Sequence, residues 1–319
     1  METAKVWTVR EVLQWTADFF ARRRLEQPRL EAEILLKKVL GQDRVQLYMN
    51  FDQPLEAREL AAYRQLIRRR AEGEPAAYLL GEKEFMSLTF EVNRQVLIPR
   101  PDTEVLVEIA LRWLKETAGE LFSLPCQAVD VGTGCGNIAV SLAYYFPAVR
   151  VAATDVSAAA LEVARRNAAR HGVEERVTFW EGDLLAPLEA AGLKGKVHLI
   201  AANLPYIPSA SLPHLPREVL HEPLTALDGG KDGLVHYRRL IPQAEACLCP
   251  GGLLLMEIGE GQSRPLLKLL SGGAWEELRV HNDYGGRERV VQAQKKRPQP
   301  AGAKRLLYRA AVPRPKTMP

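Results

Sequence analysis

Hydrophobic residues in the first seventy positions recur at helical spacing. Thr8-Val9-Arg10-Glu11 has the form of a capping box, and Val12, Leu13, Thr16, Phe19 and Phe20 follow it as an apolar stripe. Pro28 suits the first turn of a second helix carrying Leu30, Ile34 and Leu35, with Gly41 as its stop. A third stripe, Leu60, Tyr63, Leu66 and Ile67, predicts a helix over about 55–72 that ends on Arg68-Arg69-Arg70. Those arginines either complement the helix dipole or form a docking patch. From 76 to about 98 the period changes to two, with Leu88, Phe90 and Val92 alternating as in strands or a hairpin. Val96-Leu97-Ile98 then runs into Pro99-Arg100-Pro101-Asp102-Thr103-Glu104. The two prolines hold that turn extended, and Asp102 or Thr103 is expected to cap the next helix.

Beyond residue 125, short apolar runs alternate with amphipathic segments. Strands are expected near 127–131, 150–154, 176–180, 197–202, 252–258, 275–281 and 288–294. Helices are expected near 136–146, 157–171, 233–248 and 262–270. Such alternation implies an α/β fold with a doubly wound, mostly parallel sheet of seven strands. The Gly285-Gly286 turn between the last two runs makes the terminal hairpin antiparallel. The expected organisation is a helical substrate-recognition domain (1–75), a larger domain with a leading hairpin (76–294) and a basic, proline-containing, disordered tail (295–319).

Composition adds one correction to this picture. The chain of 319 residues is 47% hydrophobic and 26% charged, as in ordinary globular proteins. It has no apolar run long enough to span a bilayer and no secretory pattern at Met1-Glu2-Thr3-Ala4-Lys5. A cytoplasmic protein is expected, and nothing demands more than a monomer. Cys126, Cys135, Cys247 and Cys249 lack zinc-ligand spacing and are expected as free thiols, with no metal site. The formal charge of +4 is misleading, because residues 295–319 carry eight lysines and arginines and no acid, leaving −4 for the rest. A body of that sign is unsuited to gripping nucleic acid. Contact with nucleic acid is therefore expected only through the tail.

Two short segments carry the chemistry. Asp130-Val131-Gly132-Thr133-Gly134-Cys135-Gly136 joins an apolar run to a helical one. Its glycines let a ligand approach the backbone. Asn137 stands where a dinucleotide fingerprint would have its third glycine, so a cofactor without a pyrophosphate is expected. Asp155, at the end of the next strand, can accept hydrogen bonds from ribose hydroxyls, or simply cap the helix from Ser157. Asp183, in Glu181-Gly182-Asp183-Leu184, can meet an adenine amino group with Leu184 beside the ring, or serve as an ordinary turn residue.

The second segment, Asn203-Leu204-Pro205-Tyr206, follows the apolar run 197–202. An amide nitrogen is a poor nucleophile because its lone pair is delocalised. The Asn203 side-chain oxygen and a neighbouring main-chain carbonyl can each accept one N–H of such an NH2 group, fixing the nitrogen for attack. Pro205 stiffens the turn, and Tyr206 offers an aromatic face to a planar group. Positioning of this kind can lower a barrier by roughly 7–11 kcal/mol.

With these residues in place, the chain resembles the class I S-adenosylmethionine-dependent methyltransferases bearing an Asn/Asp-Pro-Pro-Tyr motif. Within them it is similar to the protein-(glutamine-N5) methyltransferases of peptide chain release factors. The resemblance runs from about residue 8 to 294. It takes in Gly73 through Gly81, Ile98 through Glu104, the glycine turn and Asn203 through Pro208, then Glu222-Pro223, Asp228 through Leu234, Glu257-Ile258-Gly259 and Asp283 through Val290. It implies a Rossmann-like fold and S-adenosyl-L-methionine contacts from Gly132, Thr133, Gly134, Cys135, Gly136, Asp155, Asp183, Leu184 and Asn203. It implies that Asn203, Leu204, Pro205 and Tyr206 hold the glutamine of a class I release factor's Gly-Gly-Gln loop, with Asn203, Pro205 and Tyr206 the catalytic group. Leu204 departs from the pattern in place of its first proline, freeing one dihedral. The basic tail is a second departure. Methylation of adenine N6 in DNA or RNA, of a ribosomal-protein glutamine, or a non-catalytic cofactor-binding role are the alternatives.

Overall fold

A computed structural model describes residues 6–119, 122 and 124–298. The leader reading at residues 1–5 and most of the basic tail lie outside them. Helices α1 (Val9–Arg22), α2 (Pro28–Leu40), α3 (Arg44–Met49), α4 (Ala57–Ala71) and α5 (Ala76–Leu80) enclose a core of their own around Leu13, Phe20, Leu35, Leu36, Leu47 and Tyr63. Thr8 and Glu11 form the expected capping box, and Gly41 ends α2 in the left-handed region. The α2 stripe is rotated from its expected position: Ala32, Leu35 and Leu36 are buried while Leu30 is exposed. The arginines ending α4 neither complement the dipole alone nor form an open patch. Arg68 pairs with Glu72, Arg69 bonds Glu74 through two nitrogens, and buried Arg70 pairs with Glu31 and Glu218.

A short hairpin, β1 (Glu82–Phe85) and β2 (Leu88–Glu91), leads through 92–101 into α6 (Asp102–Thr117). Thereafter come β3 (Cys126–Val131), α7 (Asn137–Tyr145), β4 (Val149–Asp155), α8 (Ala158–Arg170), β5 (Val177–Glu181), α9 (Ala186–Ala190) and β6 (Val197–Ala202). An irregular stretch with one-turn helices spans 203–234. The chain ends in α10 (Val235–Cys247), β7 (Leu248–Glu257), α11 (Ser263–Leu270), β8 (Trp275–Asn282) and β9 (Glu288–Lys295). Lys295 therefore belongs to the sheet rather than to a tail, and its ammonium bonds the main-chain oxygens of Glu245 and Leu248.

The seven strands lie in the order β5-β4-β3-β6-β7-β9-β8, and only β9 runs against the rest, antiparallel to both of its neighbours β7 and β8. Side chains alternate across the sheet as period two requires. Ala128, Leu199, Ala201, Leu253 and Leu255 face α6, α7 and α8, whereas Val129, Ile200, Ala202, Leu254 and Met256 face α10 and α11. Strand order reverses between β3 and β6, where open parallel sheets leave a ligand crevice at the carboxyl ends.

Candidate functional site

Val131 and Ala202 are register partners at the ends of β3 and β6, so Gly132 and Asn203 leave the sheet side by side. Gly132 adopts φ +73, and a methyl group built on it would lie 3.0 Å from Leu204 Cδ2. The glycine turn and the Asn203 turn thus touch.

On one side of that contact is a cavity of about 770 Å³ including its open mouth. Gly132, Gly134, Asp155, Asp183, Leu184 and Asn203 line it, with Thr154 and Ser157 from β4 and the turn after it. The Asp155 carboxylate accepts the Gly134 N–H at 2.9 Å and the Ser157 N–H at 2.9 Å. Helix capping proper falls to the Ser157 hydroxyl, which accepts from Ala160. Burial pushes the Asp155 pKa upward against those two bonds. Asp183 borders the cavity while its carboxylate pairs with Arg239 of α10. Leu184 holds a left-handed φ of +50, a strained conformation of the kind found at ligand sites.

Thr133, Cys135 and Gly136 are not brought to that cavity. The Thr133 hydroxyl donates to Asp130 at 2.6 Å, and Asp130 also accepts the Ala139 N–H at 3.0 Å. Burial raises Asp130 to about 7, with Asp155 adding a smaller repulsion. Cys135 is buried, its thiol pushed up to about 12 by desolvation, and Gly136 packs on Ala164 of α8. These three shape the turn from behind.

On the other side of the contact lies a second cavity, about 570 Å³, lined by Leu97, Arg100, Asn203, Leu204, Tyr206, Leu215 and Val219 among others. Leu97, Asn203, Leu204 and Ala226 line both cavities and form their common wall. Pro205 faces the first cavity and Tyr206 the second. Burial and the neighbouring Glu257 raise the Tyr206 pKa, so the phenol stays protonated and is no base. Its hydroxyl lies 3.5 Å from Glu257 Oε1. Leu204 is buried in the hydrophobic cluster that also holds Val131, Leu234 and Ile258. The Tyr237 hydroxyl reaches its main-chain oxygen at 3.4 Å.

The surrounding motifs acquire physical roles. Glu222 ties the two walls by accepting from the Ile98 N–H at 3.1 Å and pairing with Arg100. Tyr78 supports the same segment by donating to the Val96 main-chain oxygen at 2.6 Å. Gly233 sits where any side chain would meet the Tyr206 oxygen. Arg289 pairs with Asp102 and Asp283 and bonds the Ile258 oxygen. Neither Asp102 nor Thr103 caps α6: Pro101 is already helical (φ −56, ψ −33), so the helix starts one residue earlier and both side chains face elsewhere. Thr103 instead accepts the Asn203 Nδ2–H at 3.1 Å. Leu97, Thr103 and Glu257 were missed as site residues, since contacts across about a hundred positions leave no local signal. Among the described residues no cluster of His, Cys, Asp or Glu is arranged for a metal, and no helix is long and apolar enough to cross a membrane.

Comparison with known proteins gives two family matches: the PrmC N-terminal domain over residues 11–81 and a methyltransferase domain over 128–221. A release factor glutamine methyltransferase of Geobacter sulfurreducens is 46% identical over 291 residues, covering 91% of this chain and 98% of that protein. One of Moorella thermoacetica is 46% identical over 290 residues, covering 90% and 98%. The solved hMettl16 catalytic domain in complex with the MAT2A 3′UTR hairpin 6 matches with a TM-score of 0.52 at 16% identity, covering 73% of this chain and 84% of that one. At that identity it speaks to the fold alone.

Proposed function

Because the chain belongs to the release factor glutamine methyltransferase family, we propose that its two joined cavities carry out methylation of a release-factor glutamine at N5, with S-adenosyl-L-methionine as donor. The observation that carries this reading is the common wall, in which Asn203 borders both the donor and the acceptor cavity. The first cavity suits the donor: Gly132 and Gly134 bring bare backbone to it, and the Thr154 hydroxyl at its edge has no hydrogen-bond partner within the protein. Bound there, S-adenosylmethionine supplies an electrophilic methyl group.

Asp155 would accept the ribose hydroxyls, since each carboxylate oxygen keeps a lone pair beyond the N–H it already binds. Asp183 would serve the adenine amino group, with Leu184 against the ring. In the second cavity Asn203 Oδ1 and the Leu204 main-chain oxygen would each accept one N–H of the glutamine carboxamide. The nitrogen is thereby held with its lone pair toward the common wall, and Tyr206 packs against the flat group. No side chain need remove a proton before attack, because the nitrogen becomes acidic as the new bond forms. The helices before residue 81 would seat the protein substrate, reaching the acceptor cavity through the Arg70–Glu218 pair. We assign the protein to the cytoplasm, acting as a monomer.

Incubation with labelled S-adenosylmethionine and a release factor, total RNA or DNA tests the reading. Label is expected on the release factor's Gly-Gly-Gln glutamine. Label in nucleic acid and not in the factor would overturn it.

A further inference from the structure

An asparagine can hold an NH2 group only if its oxygen, and not its own NH2, faces the substrate. Asn203 lines both cavities, but the carboxamide is nearly symmetric in shape and could be turned either way. Its Nδ2 donates to Thr103 Oγ1 at 3.1 Å. Thr103 is 1% exposed and lines neither cavity. The nitrogen therefore points into the protein, and the planar group sends Oδ1 to the opposite branch.

A hydroxyl can donate as well as accept, so Thr103 alone would not define the orientation. Beneath it lies Glu257, buried at the end of β7, with the Thr103 hydroxyl among the groups that act on its carboxylate. In its ionised form that carboxylate only accepts. Glu257 Oε2 has no hydrogen-bond partner of its own, and a Thr103 proton turned toward it would leave the Thr103 oxygen as an acceptor, matching the donor that Asn203 presents. Arg289, Asp102, Tyr206 and Tyr237 also surround Glu257, and Arg289 holds Asp102 at the start of α6.

We infer that Thr103 is a positioning residue that, backed by Glu257, fixes the Asn203 carboxamide with its oxygen toward the acceptor cavity and so selects an NH2-bearing acceptor. With the amide reversed, two NH2 groups would face each other and the substrate nitrogen would lose its fixed direction. The inference rests on the acceptor-site reading above.

The test compares Thr103→Val and Thr103→Ser with the unsubstituted enzyme, measuring kcat and KM for a release factor and cofactor affinity by calorimetry. Thr103→Val, which keeps shape but removes the hydroxyl, should lower kcat about 100-fold, the scale of a small misplacement at a reacting centre. KM and cofactor affinity should stay within about three-fold. Thr103→Ser should recover most of the lost kcat. Undiminished kcat in Thr103→Val, or a serine variant as slow as the valine one, would overturn the inference. So would loss of cofactor affinity in step with kcat, which would make Thr103 part of the scaffold. Failure of the unsubstituted enzyme to methylate the factor would instead overturn the acceptor-site reading.

Discussion

Replacing Gly233 by alanine probes how the acceptor turn is held. Gly233 has φ +75, and an added Cβ would sit 2.2 Å from the Tyr206 main-chain oxygen and 2.3 Å from Gln262 Nε2. Those two atoms are themselves hydrogen-bonded at 2.8 Å, so the methyl group would be driven into a made contact. A side chain in the left-handed region costs about 1–2 kcal/mol. Overpacking adds about 1–3 kcal/mol, and the broken bond adds about 1 kcal/mol. The expected loss is on the order of 3–6 kcal/mol, or roughly 6–24 °C in melting temperature for a domain of this size. Gly41→Ala is the control: φ is +64, but no atom lies within 4 Å, so only the backbone cost of about 1–2 kcal/mol applies. Turnover should fall further than cofactor affinity, because Tyr206 moves while the glycine turn at 132–136 does not. Thermal unfolding, calorimetry with the cofactor and turnover assays read all three quantities. If Gly233→Ala is no less stable than Gly41→Ala, the packing of 228–234 on the acceptor turn is misread.

Asn203→Ala should reduce kcat by more than about 100-fold while cofactor affinity, measured by calorimetry, changes little, since Asp155 and the glycine turn remain. Asp155→Ala should show the reverse emphasis, weakening the cofactor by about 1.5–3 kcal/mol per lost charged hydrogen bond, and unchanged affinity would remove Asp155 from the ribose. Stability should also fall as pH rises from about 4.5 to 7. Asp130 and Glu257 are raised from 3.8 and 4.5 to about 7 by burial, so in that window the folded state binds more protons than the unfolded one. Each contributes up to about 1.4 kcal/mol per pH unit. Below that window the lowered carboxyls, such as Asp232 held at about 2 by Arg238, lose stability as pH falls. Urea unfolding at pH 5 and 8 checks the sign, and Asp130→Asn should be less sensitive to pH than the parent chain.

The inner parallel strands were legible because they are short apolar runs that end at Gly132, Asp155, Asn203 or Glu257, whereas the edge strand β8 is largely polar and was marked instead by the Gly285-Gly286 turn. Six of the seven lie within about a residue of their expected ends. The seventh, β7, begins at Leu248 rather than 252, since Leu248 already pairs with Val197 of β6 before the irregular Cys249-Pro250-Gly251-Gly252 segment, after which pairing resumes at Leu253. Helices of five or six residues, α3, α5 and α9, are too short to show a period. In the site, Gly132, Gly134, Asp155 and Asn203 were legible because they terminate parallel strands, where sheet topology makes a ligand crevice. Thr103 and Leu97 were not. Their roles depend on α6 and the 95–100 segment folding back over β6, and the local pattern at Thr103 competes with an ordinary helix cap. Thr133 and Cys135 were expected as cofactor contacts from the resemblance; their side chains instead face Asp130 and the buried interior.

The most direct test of the shared wall is methylation of a release factor whose Gly-Gly-Gln glutamine is shortened to asparagine. The loss of one methylene withdraws the carboxamide by about 1.5 Å, a displacement that should cost about 100-fold in rate. The account predicts rapid methylation of the glutamine factor, confirmed by fragmentation mass spectrometry, and almost none of the Gln→Asn form. Equal labelling of the two, or label at another residue, would contradict it.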